Sequence, residues 1–213
     1  MRAEDSTTRI EPDLTLEHGL WQSGLAYVAG MDEAGRGAMA GPVAVGAVIL
    51  PNQSHLFLTL KGVRDSKQMT PLAREHLAPH IQESALAWSV GFASSDEIDS
   101  LGIVPATRLA ALRALEALSL FPCYLLTDFR LELPELDIPQ TSLIKGDAKC
   151  LSIAAASVLA KTARDSLMCK LDSQYPGYGL GRHKGYGTPL HRQTLKQLGY
   201  SPIHRKTFSF HHS

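Results

Sequence analysis

The stretch that most restricts how this chain can fold is Gly30-Met31-Asp32-Glu33-Ala34-Gly35-Arg36-Gly37-Ala38-Met39-Ala40-Gly41-Pro42, set between two short apolar runs, Tyr27 to Met31 and Val43 to Leu50. Both runs are β-branched or small, bounded by Gly and Pro, and too short for buried helices, so they read as strands. A strand therefore ends in two adjacent carboxylates, a glycine-dense turn carries one arginine, and a second strand leaves. In a continuing strand Asp32 and Glu33 would face opposite sides. A turn beginning there would let both bend towards one site. The glycines permit close backbone approach and offer N–H groups to anions. Taken alone, the window fits two readings: a site handling a metal and a phosphate together, or a polar hairpin turn with a solvated acidic pair. It does not fit a dinucleotide fingerprint. The third glycine falls one residue late, and Pro42 and a strand follow where that motif needs a helix.

Around this hairpin the pattern predicts strands at 25–31, 42–50, 85–93 and 123–128, with a brief fifth at 142–144. Thr70 and Pro71 are the N-cap and first residue of a helix with Leu72, Leu77 and Ile81 on its core face. Shorter and longer helices are expected at 96–101, closed by Gly102, and at 105–118. A long helix over 151–171 begins small and apolar, suited to close packing on a sheet, and turns charged at Lys161, Arg164, Asp165 and Lys170. Thr188-Pro189 opens a last helix that Gly199 ends. The class is α/β, with a mixed central sheet flanked by helices. Residues 1–20 lack periodicity and are expected to form a mobile extension, 21–175 one domain, and 176–213 a small C-terminal helical part.

Net charge is zero, but unevenly spread. Residues 1–144 hold 10 Lys/Arg against 18 Asp/Glu, and residues 145–213 hold 11 against 3. A basic final third suits a polyanion on one face. No apolar run reaches membrane-span length and no signal peptide is visible. Cys123, Cys150 and Cys169 are odd in number and lack zinc-ligand spacing, so they read as buried thiols of a cytoplasmic protein.

Asp32, Glu33, Asp128 and Asp147 all stand at element ends. If the first and fourth strands are neighbours, about 4.8 Å apart, Asp32 and Asp128 can share a metal. Oxygen-only ligands suit Mg²⁺ or Mn²⁺, and paired ions of this kind hydrolyse phosphodiesters without a side-chain nucleophile. The loop from Tyr178 to Tyr186 interleaves aromatics with Arg182, His183 and Lys184, which suits stacking on a base or sugar beside phosphates. His183 and His191 lack a fitting partner spacing for a metal.

At this point several motifs, in order, resemble ribonuclease HII, the bacterial type 2 ribonuclease H. They are Gly30 to Gly37, Asp65-Ser66-Lys67, Lys145-Gly146-Asp147-Ala148-Lys149, Ile153 to Lys161 with Arg164-Asp165, His183 to Thr188, and His204-Arg205-Lys206-Thr207-Phe208. The resemblance implies a ribonuclease H-like fold and a metal-dependent endoribonuclease. It implies cutting of RNA in RNA–DNA hybrids and beside ribonucleotides embedded in duplex DNA, with two Mn²⁺ or Mg²⁺ ions; a monomer is expected. Asp32, Glu33, Asp128 and Asp147 match the family's metal carboxylates, and Gly35, Arg36 and Gly37 the turn that senses the ribose 2′-hydroxyl. Tyr186 matches the tyrosine that stacks at the RNA-to-DNA junction, and Lys67 is expected on phosphate. The family usually has glycine after its third carboxylate. Here Phe129 follows Asp128, and a bulky neighbour is expected to tilt Asp128 or narrow the cleft. Residues 1–20 lie outside the resemblance.

Overall fold

The computed structural model describes residues 11–53, 55–129 and 131–208. Along the chain come α1 (Thr15–Gln22), β1 (Val28–Ala34), β2 (Val43–Ile49), α2 (Leu56–Thr59), α3 (Pro71–Ser84), β3 (Ala87–Ala93), α4 (Ser95–Leu101) and α5 (Ile103–Glu116). There follow β4 (Tyr124–Asp128), β5 (Gln140–Leu143), α6 (Leu151–Gln174), α7 (Leu180–His183) and α8 (Pro189–Leu198). The strands form one mixed sheet in the order β3-β2-β1-β4-β5, antiparallel across β1–β2 and β2–β3 and parallel across β1–β4 and β4–β5. β1 is central, so the two carboxylates at its end lie in the middle of the sheet.

Two apolar layers enclose the sheet. On one side α6, α3 and α1 cover Val28, Val48 and Leu126; on the other, α5 and α4 cover Met31, Val45, Ile49 and Leu125. Both faces of β2 are thus buried, and all seven of its residues are inaccessible, as its unbroken apolar run requires. The small first half of α6 lies almost on the sheet backbone. A Cβ at Gly30 would sit 2.2 Å from the Ser152 carbonyl carbon, and one at Gly46 would sit 2.3 Å from the Ala156 oxygen.

The helix ends follow the expected chemistry. Thr70 accepts from the Ala73 amide at 3.2 Å and Thr188 from the His191 amide at 3.2 Å, and Ser94 with Glu97 forms a capping box on α4. Three expectations are corrected. On α3 Leu77 and Ile81 face the core as expected, but Leu72 is 75 % exposed, and Arg74 and Ala78 are buried. Arg74 is drawn inward by the carbonyls of Ser66 and Met69 and by Asp165. Of the cysteines only Cys150 is buried; Cys123 is half-buried and Cys169 exposed, and all three are free. Lastly, the segment expected to be a mobile extension is packed from Asp13 on: Glu17 and Trp21 are buried on α1, and Asp13 bridges to Cys150. Residues 1–10 lie outside the described residues.

Candidate active site

The parallel register pairs Met31 with Thr127, which brings the next residues, Asp32 and Asp128, side by side where β4 ends. Carboxylate oxygens of Asp32, Glu33 and Asp128 lie within 4.8 Å of one another. No other such group of three acidic, His or Cys ligands occurs among the described residues. The turn expected at Asp32 starts later, since β1 runs on through Ala34. Asp32 instead folds back to accept from the Glu33 amide at 2.8 Å, which gathers two side chains that would otherwise diverge. Asp32 is 1 % exposed, and its Oδ2 and Oε2 of Glu33 are buried without a hydrogen-bond partner in the protein. Burial, with the Glu33 carboxylate beside it, pushes the Asp32 carboxyl well above its ordinary range. A cation would relieve both costs, and an all-oxygen donor set fits a hard divalent ion.

Asp147 sits outside that trio, on the short 3₁₀ turn Gly146–Ala148. It is entered through Lys145 in the left-handed region at φ 55°. Burial, with Asp65 and Asp128 alongside, pushes the Asp147 carboxyl up to about 6. The Gly146 amide donates to Oδ1 of Asp128 at 2.9 Å, so the turn that carries one carboxylate orients another. Phe129 is 54 % exposed, and Asp128 stays in the cluster beside it. Lys67 follows Asp65, whose side chain caps the turn by accepting from the Lys67 amide at 2.9 Å. Burial acts to lower the Lys67 ammonium, but the carboxylates of Asp32, Asp65, Asp147 and Glu33 outweigh it and hold it above its ordinary value.

The glycine turn is held from behind by two fully buried arginines. Arg164 of α6 donates to the carbonyls of Pro42, Ala40 and Lys184 at 2.8, 3.0 and 2.9 Å. Arg205 donates to Gly41 at 2.9 and 3.0 Å, and to Gly35 and Arg36, both at 2.8 Å. Burying a cation costs several kcal/mol, which bonds to charged donors of about 1.5–3 kcal/mol each offset. Burial, with Arg164 nearby, pulls the Arg205 guanidinium down to about 9, still charged at neutral pH. In a trans peptide the C=O and the following N–H point opposite ways. Arg205 therefore directs the amides of Arg36 and Gly37 away from the interior. Gly35 has φ +85°, and a Cβ there would meet Arg164 Nε at 1.9 Å. The Arg36 guanidinium stands 3.9 Å from the Glu33 carboxylate, which links turn and cluster.

Tyr186 completes the enclosure. Its ring lies beneath Lys161 Nζ at 5.1 Å and Arg164 Cζ at 5.5 Å. The nearby histidines hold structure rather than a metal: His183 stacks on His191 at 4.1 Å, and His191 and His204 share a 3.0 Å hydrogen bond. The two buried arginines, with Asp65, Ser157 and Lys161, were not singled out as site residues from sequence. A signal was present: Ser157, Lys161, Arg164 and Met168 continue the i+3/i+4 stripe of α6. Burial of Arg164 and Arg205 also means that part of the C-terminal basic excess is interior.

With this geometry in hand, comparison with known proteins is direct. The family model for ribonuclease HII matches residues 29–211. The chain is 50 % identical over 205 residues to ribonuclease HII of Dehalococcoides mccartyi strain 195, covering 94 % of each. To ribonuclease HII of Thermus thermophilus it is 52 % identical over 194 residues, covering 91 % of each. The crystal structure of ribonuclease H2 from Pyrococcus horikoshii OT3 superposes with a TM-score of 0.72 at 29 % identity, over 85 % of this chain and 93 % of that one. The fold is ribonuclease H-like, and the chain belongs to the ribonuclease HII family of metal-dependent endoribonucleases.

Proposed function

We propose that the chain hydrolyses the RNA strand of RNA–DNA hybrids and cuts 5′ of ribonucleotides embedded in duplex DNA. The products are 3′-hydroxyl and 5′-phosphate ends, and two Mg²⁺ or Mn²⁺ ions are held by Asp32, Glu33, Asp128 and Asp147. The observation that carries this reading is the cluster of buried, unpartnered carboxylate oxygens two residues ahead of a turn whose amides face away from Arg205. When bound, such ions supply Lewis acidity and a water of lowered pKa for in-line displacement at phosphorus. Asp32, Glu33 and Asp128 gather acceptor oxygens on the central strands β1 and β4, and Asp147 adds a fourth carboxylate from the neighbouring 3₁₀ turn. Lys67, kept protonated among them, offsets charge on the scissile phosphate. Gly35, Arg36 and Gly37 bring backbone amides against the ribose, where a 2′-hydroxyl can accept and donate. Tyr186, backed by Lys161 and Arg164, stacks on the neighbouring sugar or base and sets the register of the strand. The enzyme works as a cytoplasmic monomer in this reading.

The test is cleavage, with Mg²⁺ or Mn²⁺, of duplex DNA bearing one ribonucleotide, alongside an all-DNA duplex and a long RNA–DNA hybrid. The expected result is cutting 5′ of the ribonucleotide and along the hybrid, with the all-DNA duplex intact. No cutting with either ion, or equal cutting of the all-DNA duplex, overturns the reading.

A further inference from the structure

The family match begins at residue 29, so α1 and the strand-like residue before it lie outside it. They nevertheless hold the chain immediately after Asp147. The Asp13 amide donates to the Lys149 carbonyl at 3.2 Å, and the Leu151 amide donates to the Asp13 carbonyl at 2.8 Å. Glu17, fully buried on α1, accepts at Oε1 from the Ser152 amide at 2.9 Å and from the Cys150 thiol at 3.0 Å. Burial, and then the Glu17 charge, push that thiol well above its ordinary value, so it stays a donor.

α6 has no cap of its own, since Cys150 at the N-cap makes no side-chain capping bond. Glu17 supplies one from another helix: a carboxylate at the positive end of a 24-residue helix. From there the bonds run unbroken to the cluster. The amides of Cys150 and Lys149 donate to the Gly146 carbonyl at 2.8 and 3.0 Å, and the Gly146 amide donates to Asp128. The Ser152 backbone that Glu17 holds is also the one against Gly30, two residues before Asp32.

We propose that Glu17 is a positioning residue for the metal carboxylates, and that residues 13–17 set where Asp147 and Asp128 stand by clamping the start of α6. The proposal rests on the reading of Asp147 as a metal ligand, and it gives α1 a part in the reaction without any contact with substrate. A clamp made of a buried carboxylate and a backbone bridge locks position more tightly than apolar packing alone, because each bond fails if α6 shifts by about an ångström.

The experiment is calorimetric titration of Mn²⁺ into wild type, Glu17→Ala, Glu17→Asp, Trp21→Phe and Asp147→Asn, each checked for folding by circular dichroism and thermal melting. Loss of outer contacts to metal ligands typically costs about tenfold or more in affinity. Glu17→Ala is therefore expected to bind Mn²⁺ about tenfold more weakly, and Glu17→Asp, one methylene short of Ser152, to fall between it and wild type. Trp21→Phe, which loosens α1 while leaving the Glu17 carboxylate and its bonds to Ser152 and Cys150 present, is expected to melt earlier yet bind Mn²⁺ as wild type does. If Glu17→Ala does not fold, Glu17→Asp decides. Wild-type affinity in the folded Glu17 variants overturns the clamp, as does weakening in Trp21→Phe that tracks melting temperature. Wild-type affinity in Asp147→Asn overturns instead the underlying reading of Asp147.

Discussion

The Gly146 amide donates to Oδ1 of Asp128 across 18 residues of chain, at 2.9 Å. The carboxylate at the end of β4 is therefore aimed by the turn that carries Asp147, not by its own neighbour Phe129, whose ring points to solvent. Substituting Phe129→Gly should then leave cleavage of a single-ribonucleotide duplex within about twofold of wild type, the scale of a surface substitution. Steady-state kinetics check this, and a change of tenfold or more in kcat would mean that Phe129 shapes the cleft.

Gly35 cannot be replaced cheaply. Its φ of +85° and the 1.9 Å approach of Arg164 Nε to a built Cβ put the cost of Gly35→Ala at roughly 2–4 kcal/mol. For a chain of this size each kcal/mol lowers Tm by about 2–4 °C. A thermal melt within one or two degrees of wild type would show that the turn and Arg164 give way without strain.

Much of this was legible in the sequence where the determinants are local. The strand–turn–strand around Asp32, the Thr70 and Thr188 caps, and the strand ending in Asp128 all follow from short-range pattern, and β1 beside β4 then brings Asp32 to Asp128. What was not legible depends on partners far along the chain. The α6 stripe marks the inward face of Arg164, and Arg205 has no such local sign; for neither does anything nearby reveal that the carbonyls of residues 35–42 are left for them. Glu17 falls in the segment expected to be a mobile extension, because its partner Ser152 lies 135 residues away. Leu72 fails for the same reason: Arg74 and Asp165 fix the face of α3, so that Leu77 and Ile81 meet the core and Leu72 does not.

Arg205→Lys separates the turn from the carboxylates. A single ammonium lacks the fork that reaches Gly35, Arg36 and Gly41 together. We expect kcat/KM on a single-ribonucleotide duplex to fall at least about tenfold, equal to about 1.4 kcal/mol, with Mn²⁺ affinity measured by calorimetry unchanged. Parallel loss of Mn²⁺ binding would contradict this division of labour.

Acid should weaken the fold through His204. Its Nδ1 accepts from the Ser201 amide at 3.0 Å, so its Nε2 proton goes to His191, whose Nδ1 proton goes to the Tyr186 carbonyl. Burial, with His191 beside it, lowers the His204 imidazole to about 4, and burial lowers His191 as well. The unfolded chain binds these protons first. The stability is thus full above about 6.5 and is lost as pH falls towards 4, with about 2 kcal/mol gone from His204 by pH 5. Urea midpoints at pH 7 and pH 5 measure the loss, and His204→Asn should show a smaller difference between the two. An equal difference in that variant would place the acid sensitivity elsewhere.

The account stands or falls on Asp32, the most buried carboxylate of the cluster. Asp32→Asn removes one charge from a nearly isosteric side chain. Single-turnover cleavage and duplex binding, measured together on a DNA duplex with one ribonucleotide and Mg²⁺ or Mn²⁺, test it most directly. We predict that cleavage falls by about a thousandfold or more, a loss of some 4 kcal/mol in transition-state stabilisation, while the duplex Kd stays within about threefold. Undiminished cleavage by Asp32→Asn would remove the β1 carboxylate from the reaction and with it the site described above.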